Sequence, residues 1–264
     1  MATLLAEPTT ETPEFVVGDL ITEDDEPVDN LPSAKNQRLL VEPLYNSPLL
    51  PRPFLADSNV GIFMSRHRSP IVPDMFLSLD VEIAEDWWAK EHRSYFIWEF
   101  GKSPEVVVEI VSNAKGGELG TKMQEYAHLG IQYYVVFDPQ GLIQQQELQI
   151  YELHVGRYLP RSDFRLPELA LSFMVWDGVF EDKRDRWLRW CNLSGDLLLT
   201  GTESAEQERG RAEQEFIRAE QESIRAEQER TRAEQAENRA EQAESRAAQL
   251  AAKLRELGID PEAV

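Results

Sequence analysis

Two residue types that often carry chemistry are scarce in this 264-residue sequence. Its single cysteine, Cys191, excludes an intrachain disulfide, and its four histidines are scattered without the spacing of a zinc site. No apolar run approaches the roughly 18 residues of a membrane helix, and the first residues include acids where a secretory signal is basic. These absences predict a soluble, cytoplasmic protein that does not enter a membrane.

The chain also lacks a net basic segment. Its formal net charge is −21, shared among residues 1–35 (−8), 36–202 (−7) and 203–264 (−6). Strong binding of nucleic acid by phosphate neutralisation needs clustered Lys and Arg, so the composition counts against it. The one locally basic, aromatic stretch is "DKRDRWLRW" at 182–190, which is either a phosphate contact or a helix edge that packs Trp187 and Trp190 into the core.

The middle of the chain, residues 36–202, has the pattern of an α/β domain. Segments rich in Val, Ile, Tyr and Phe, bounded by Pro, Gly or Asp, predict strands. One helix interrupts them: it starts near Glu118 and ends at Gly130, where a left-handed cap is expected. The order strand, strand, helix, strand, strand, strand predicts a mixed sheet with a crossover helix, and "VVVEIV" predicts a central strand that is buried on both faces. The helix should turn an apolar face to the sheet through Leu119, Met123, Tyr126 and Ala127.

The two ends differ from this domain. Residues 1–35 combine prolines and acids without a sustained period, which predicts a disordered acidic arm. Residues 203–257 repeat every seven positions, with Arg followed by Ala, and residues 258–264 form a short tail. The repeat favours either a coiled coil that joins copies of the chain through a weak alanine seam, or a single solvated helix.

Chemistry is expected at strand ends. Glu109 lies in an otherwise apolar strand, where a carboxylate is costly unless it is paired or bound to a cation. Asp74 follows Pro73 and opens another strand, and two carboxylates on neighbouring strands repel each other unless a divalent cation such as Mg²⁺ joins them. Lys122, one helical face away from the end of the Glu109 strand, could then stabilise a developing phosphoryl charge.

Each of these residues also has a purely structural interpretation. Asp74 could start a strand, Glu109 could pair with a core arginine, and Glu118 with Lys122 could be an ordinary helical ion pair four residues apart. Glu118, Lys122 and Tyr126 line one side of the helix at that spacing. The hypothesis of an active site therefore depends on the combination of these residues and on their order.

The ordered motifs resemble one known family. They are Pro73–Asp74, "EIVS" from Glu109 to Ser112, then Lys122 with Tyr126, then "GIQYYVVFDP" at 130–139. Together they look like the Uma-two family of bacterial restriction-endonuclease-like proteins, within the PD-(D/E)XK nuclease superfamily, over roughly residues 36–180. The heptad tail also resembles extensions of some members.

The resemblance implies a restriction-endonuclease-like core that hydrolyses phosphodiester bonds in DNA. Asp74 and Glu109 would hold Mg²⁺, or Mn²⁺, Lys122 would assist catalysis, and Ser112, Glu118 and Tyr126 would support them. One position departs from the superfamily pattern, since Val111 stands where a lysine usually follows the glutamate on the same strand. Within the family a lysine of the following helix takes that place, which is Lys122 here.

A competing hypothesis keeps the fold without the activity. The acidic charge and the missing same-strand lysine are also what we expect of a catalytically weak or inactive protein with a nuclease fold. Such a protein would assemble with partners through its heptad helix.

Overall fold

The computed structural model describes residues 30–112, 117–256 and 258, which form two units that divide after Gly201. The first unit begins with helix α1, Leu31–Asn46. Asn30 caps this helix by accepting a hydrogen bond from the Ser33 amide at 3.0 Å. The helix thus starts inside the segment 1–35 predicted as a disordered arm, because Leu39, Leu40 and Leu44 bury one of its faces completely. The prediction for residues 1–29 lies outside the described residues.

A six-stranded mixed sheet follows, in the order β1-β3-β5-β6-β7-β8. Only β5 and β6 are parallel, and the other neighbours are antiparallel. Helix α3 makes the crossover between this parallel pair, as the sequence predicted. The strands are β1 Phe54–Asp57, β3 Met75–Leu79, β5 Val106–Ile110, β6 Tyr133–Phe137, β7 Leu148–His154 and β8 Arg157–Pro160, and α3 is Met123–Leu129.

Smaller elements complete the first unit. The two-residue strands β2 and β4 pair in parallel, and a three-stranded sheet has the order β11-β10-β9. Short 3-10 turns lie at Lys90–His92 and Pro167–Leu169. The elements are β2 Ile62–Phe63, β4 Tyr95–Phe96, α2 Ile97–Phe100, β9 Arg165–Leu166, β10 Leu171–Phe180 and β11 Lys183–Asn192.

Strand alternation divides the core between the two faces of the large sheet. Val106 and Val108 point to one face, where α1 and the base of the β10–β11 hairpin contribute to the core. Val107 and Val111 point to the other, with Tyr126 of α3. All five residues of β5 are buried, which confirms the prediction of a central strand. Glu109 shares the second face, because it alternates with Val107 and Val111 along the strand.

The start of the crossover helix differs from the prediction. Glu118–Lys122 forms a π-helical turn, in which the Lys122 amide bonds the Gly117 carbonyl at 3.3 Å, before α3 continues to Leu129. The extra residue in this turn changes the phase of the side chains, and Leu119, predicted on the apolar face, is exposed. Gly130 ends the helix with a left-handed φ of 77°, as expected.

The stretch 182–190 is not a helix edge. It belongs to β11, whose ten residues pair with β10. The prediction that Trp187 and Trp190 pack into the core is confirmed, since both are buried, but they do so from a strand. The Trp190 indole donates to the Leu40 carbonyl of α1 at 2.8 Å, so this strand anchors the first helix.

Helix α4, Gly201–Glu256, has 56 residues and belongs to the second unit from Thr202 onward. None of its residues is buried, and exposed (i, i+4) pairs such as Arg218 with Glu222 lie along it. The long helix predicted from the heptads is confirmed, whereas its pairing with another copy stays a prediction. No helix within the described part of the chain is both long and apolar enough to cross a membrane.

Candidate active site

Asp74 and Glu109 lie opposite each other at the ends of neighbouring strands. The register of β3 and β5 pairs Met75 with Val108, so one further residue in each direction puts Asp74 across from Glu109. The Asp74 Oδ2 atom accepts a hydrogen bond from the Ile110 amide at 2.6 Å, which ties its carboxylate to β5. The two carboxylates of the sequence hypothesis are therefore neighbours.

Glu109 is 2% exposed, and each of its carboxylate oxygens accepts a hydrogen bond. The Lys122 Nζ atom donates to Oε2 at 2.7 Å, and the Tyr126 hydroxyl donates to Oε1 at 2.5 Å. Burial raises the pKa of Glu109 to about 7, with a further rise from the Asp74 charge, against the opposing effect of Lys122 and Tyr126. The Glu109 carboxyl group therefore titrates near neutral pH.

Lys122 is the cation of this group. Burial lowers its pKa, but the carboxylates of Glu109, Asp74 and Glu118 together raise it further, so the net pKa lies above its ordinary value. Its side chain is 31% exposed. The amine thus stays charged near neutral pH and faces both Glu109 and solvent.

The three supporting residues of the sequence hypothesis have different surroundings. Tyr126 is fully buried, and burial followed by the Glu109 charge raises its pKa well above the ordinary value, so it remains a neutral donor. Glu118 is 7% exposed, and its Oε2 atom has no hydrogen-bond partner. Ser112 is the only exposed residue of the six predicted ones. Tyr126 therefore contacts Glu109 directly, and Glu118 lies close enough to Lys122 to raise its pKa. Ser112 lies at the surface.

Sequence reasoning missed two polar residues of the site, Gln37 and Asn59. Gln37 of α1 is buried and donates through Nε2 to Asp74 Oδ1 at 3.1 Å. Asn59, in the loop after β1, donates to Gln37 Oε1 at 3.1 Å. Their only signal in the sequence is residue type, because neither lies in a motif. They fix the second Asp74 oxygen, as the Ile110 amide fixes the first.

The donor atoms can be matched to a cation. Asp74 and Glu109 supply carboxylate oxygens, and no cluster of three or more His, Cys, Asp and Glu suited to a metal occurs among the described residues. Zinc needs three or four protein ligands, mostly nitrogen or sulfur, and does not fit. Mg²⁺ takes one or two carboxylates and keeps several waters, and Mn²⁺ favours the same oxygen donors. The oxygen donors of the pair are of the kind that such an ion takes. Burial is the main cause of the raised Glu109 pKa, and a cation would offset the smaller contribution of the Asp74 charge.

Comparison with known families identifies the family of the chain. The family model Uma2, described as "Putative restriction endonuclease", matches residues 4–178, about two thirds of the chain. The chain belongs to the Uma2 family. Among curated proteins, no sequence matches it. The mixed sheet with its crossover helix is the restriction-endonuclease-like fold expected of a Uma2 protein, and the family description indicates a nuclease-like function.

In this Uma2 protein, the position that usually holds the superfamily lysine is apolar. Val111 is 2% exposed and packs in the same apolar cluster as Val107 and Tyr126. Lys122 reaches the Glu109 carboxylate from the following helix instead. The cationic group is therefore present near the carboxylates, although it comes from a different element.

Proposed function

We propose that this Uma2 protein is a Mg²⁺-dependent endonuclease that hydrolyses phosphodiester bonds in DNA. Asp74 and Glu109 hold the cation, with Mn²⁺ as an alternative ion, and Lys122 is the catalytic cation. The observation that carries the proposal is the direct bond from Lys122 to Glu109 at 2.7 Å, beside an opposing Asp74. A pair of neighbouring acids, of which Glu109 is buried, with one partly exposed lysine beside it, supplies the types of group that metal-assisted phosphodiester hydrolysis uses.

Each residue has a role that follows from its contacts. Lys122 and Tyr126 donate to Glu109, which favours its ionised, ligating form despite burial. Gln37 and the Ile110 amide fix the orientation of Asp74. A divalent cation held by Asp74 and Glu109 would supply Lewis-acid chemistry, since it would polarise the phosphoryl group and lower the pKa of a bound water.

Lys122 interacts with the negative charge of the substrate. Its partly exposed amine stabilises the charge that develops on the phosphoryl oxygens. Further positive charge comes from Arg66 and Arg68, which lie in the exposed loop after β2, shortly before Asp74. We assign this loop to the phosphate backbone, because its two arginines occur without a neighbouring acid in the sequence, in a chain whose net charge is −21.

Cleavage of a supercoiled plasmid by the purified full chain tests the proposal. Nicked or linear DNA should form with Mg²⁺ or Mn²⁺ and not with a chelator. Asp74→Asn, Glu109→Gln and Lys122→Ala should each slow cleavage by about 100-fold or more, as loss of one charge-stabilising group usually does. Asp177→Asn, in an exposed ion pair of the β10–β11 hairpin, is the matched control and should cleave normally.

Two results would contradict the proposal. One is the absence of any cleavage product with either cation, and the other is equal rates for the wild type and the three site variants. A single-stranded RNA of matching sequence, run beside linear single-stranded DNA, separates ribonuclease from deoxyribonuclease activity. Faster cleavage of the RNA would mean that the substrate is RNA, and the proposed roles of Asp74, Glu109 and Lys122 would still hold.

A second function, assembly without catalysis, is favoured by one observation. Helix α4 exposes apolar side chains, including Phe216, Ile217 and Ile224, and buries none of its residues. As a pure interaction module, the protein would bind no divalent cation at Asp74 and Glu109. Calorimetric titration that finds Mg²⁺ or Mn²⁺ binding in the wild type, and none in Glu109→Ala, would exclude this alternative.

A further inference from the structure

A cavity of about 240 Å³ lies on the same face of the large sheet as the proposed site. Its floor includes Phe76 of β3 and Leu55 of β1, and the loop between β3 and β4 supplies its rim. Most of its lining is apolar and much of it aromatic, with Tyr95 and Phe100 stacked at 4.4 Å between ring centroids. The cavity is therefore shaped mainly by flat, apolar surfaces.

The sheet register places this cavity next to the acid pair. Asp57, which lines the cavity, lies directly opposite Phe76 in the β1–β3 ladder. Phe76 and Asp74 are two residues apart and point to the same face, a separation of about 7 Å along a strand. Hydrogen bonds from Asn59 to Gln37 and from Gln37 to Asp74 also connect the loop after Asp57 with the site. A strand that bound at Asp74 would thus pass beside the cavity.

Two tryptophans at the mouth of the cavity are unusually exposed. Trp87 is 56% and Trp88 is 70% exposed, with ring centroids 5.4 Å apart. Large aromatic side chains at a cavity mouth offer stacking surface, and every nucleobase has a flat π-face that such rings accept. The exposed pair is thus suited to a planar aromatic ligand.

The polar groups of the rim match the edge of a base. The Arg93 Nε donates to the Trp88 carbonyl at 2.9 Å, which fixes the guanidinium beside the tryptophan. The Arg93 guanidinium supplies donors, and the Asp57 carboxylate supplies acceptors. Nucleobase edges carry both donors and acceptors, and a cation near the mouth favours the attached phosphate.

We propose that this cavity binds one unstacked nucleobase of a single-stranded stretch of DNA, adjacent to the phosphodiester at Asp74. The inference rests on the proposed function for the identity of the bound polymer, but binding can be measured without cleavage. Because the ring planes of Trp87 and Trp88 are inclined at 55°, one of the two rings stacks on the base while the other packs against its side. Arg93 and Asp57 contact the polar edge of the base. The site therefore favours DNA with a base free to leave the stack, such as a single strand or a distorted duplex.

The test compares two oligodeoxynucleotides of equal length and charge, one with bases and one fully abasic. Binding is measured by fluorescence anisotropy with the full chain carrying Glu109→Gln, so that neither is cleaved. We expect the abasic oligomer to bind about tenfold more weakly or worse, as loss of base stacking predicts. Trp87→Ala and Trp88→Ala should remove this difference by weakening only the base-containing oligomer, whereas Trp88→Phe should preserve most of it.

Phe164→Ala, which removes an exposed aromatic ring elsewhere on the first unit, is the control and should bind both oligomers normally. Circular dichroism confirms that each variant is folded. Equal affinity for the two oligomers, no binding of either, or an equal loss for both in the tryptophan variants would overturn the inference. In the last case the tryptophans would fit a surface for a protein partner or a general backbone contact.

The outcome is separable from that of the proposed function. Base-selective binding without any cleavage by the wild type would contradict the proposed nuclease activity and support the base-binding site. Cleavage by the wild type with equal binding of both oligomers would contradict the base-binding site and support the proposed nuclease activity.

Discussion

Glu109 experiences two opposing influences that nearly balance at neutral pH. Burial and the neighbouring Asp74 favour its protonated form, whereas Lys122 and Tyr126 stabilise the carboxylate. The resulting pKa of about 7 lies well above the ordinary value of 4.5. Small changes around this side chain therefore decide whether it is a neutral acid or an ionised carboxylate.

Unfolding measurements across pH test this balance at the residue. Between pH 4.5 and about 7 the unfolded chain ionises Glu109 while the folded chain still holds its proton, so the folded state binds more protons. Stability attributable to this group is full below pH 4.5 and falls as the pH rises through about 7. Glu109→Gln cannot ionise, so its free energy of unfolding, relative to wild type, should rise across this window by about 3 kcal/mol.

Urea denaturation in the presence of a chelator provides the measurement. The raised pKa of Lys122 changes the free energy of unfolding only above pH 10.5, the ordinary pKa of lysine. Titration of Lys122 therefore does not affect the measurement between pH 4 and 8. Glu99→Gln, at an exposed position of α2, is the control and should follow the wild-type pH dependence. A constant difference between Glu109→Gln and wild type from pH 4 to 8 would show that the pKa of Glu109 is not raised.

The sequence predicted the residues that carry charge where charge is unusual. Glu109 was visible because its strand is otherwise apolar, and Lys122 and Tyr126 because they are four residues apart in a short helix. Gln37 and Asn59 could not be predicted, because neutral amides are ordinary in helices and loops, and only tertiary contacts bring them to Asp74. The exposed Trp87 and Trp88 were also missed, since exposure cannot be read from residue type.

At the scale of elements, the π-helical turn Glu118–Lys122 determines where the lysine points. Its first carbonyl, that of Glu118, accepts a hydrogen bond from the buried Tyr134 hydroxyl of β6 at 2.9 Å. The turn is thus tied to the strand next to Glu109. Because π-helical turns are rare and less regular than α-helix, this external bond helps to keep Lys122 and Tyr126 on the same side.

Tyr134→Phe tests this attachment. Loss of the buried hydrogen bond should lower the free energy of unfolding by about 1 kcal/mol, because the Glu118 carbonyl loses its donor. Cleavage should decrease more than substrate binding, because the position of Lys122 relaxes while the DNA contacts remain. Thermal denaturation and plasmid cleavage measure the two effects.

Tyr151→Phe is the matched control for this change. Tyr151 stacks on Tyr134 at 6.1 Å, and its hydroxyl makes no hydrogen bond within the described structure. Its removal should alter neither stability nor cleavage measurably. If the two variants behaved alike, the hydroxyl of Tyr134 would have no positioning role.

Local pattern predicted some elements better than others. The strands on either side of the crossover helix were predicted because both are continuous apolar runs. The β10–β11 hairpin was misread because β11 is exposed and charged from Lys183 to Arg186 but buried on both faces near Trp190, a mixture with neither strand nor helix period. Helix α1 was partly assigned to the arm, because its prolines and polar residues hide three buried leucines.

At the scale of the whole molecule, charge and length are distributed between two units. The first carries the core and the proposed site, and the second is a helix that extends for about 84 Å at 1.5 Å per residue. A sustained seven-residue repeat favours pairing of helices, yet alanine seams bury little area. Association through α4 is therefore expected to be weak.

Analytical ultracentrifugation of the full chain and of a chain ending at residue 202 tests this association. The full chain should show a concentration-dependent monomer–dimer equilibrium at micromolar concentrations, and the truncated chain should remain a monomer. Ile217→Asp with Ile224→Asp places like charges on exposed apolar positions of the helix, and should leave the full chain monomeric. If the full chain and the truncated chain each sedimented with the mass of its own monomer at all concentrations, α4 would be a solitary helix.

The ion pair between Lys122 and Glu109 also bears on how the proposed cation would bind. Where a metal site does not form without its ion, metal-binding free energy contributes directly to folding, and chelators unfold the protein. Here Lys122 and Tyr126 already contact both oxygens of the buried acid, so we expect the fold to form without an ion. An arriving Mg²⁺ would compete with the resident ammonium group, which would lower its apparent affinity. Occupancy of the proposed site would then follow the free Mg²⁺ concentration around the protein.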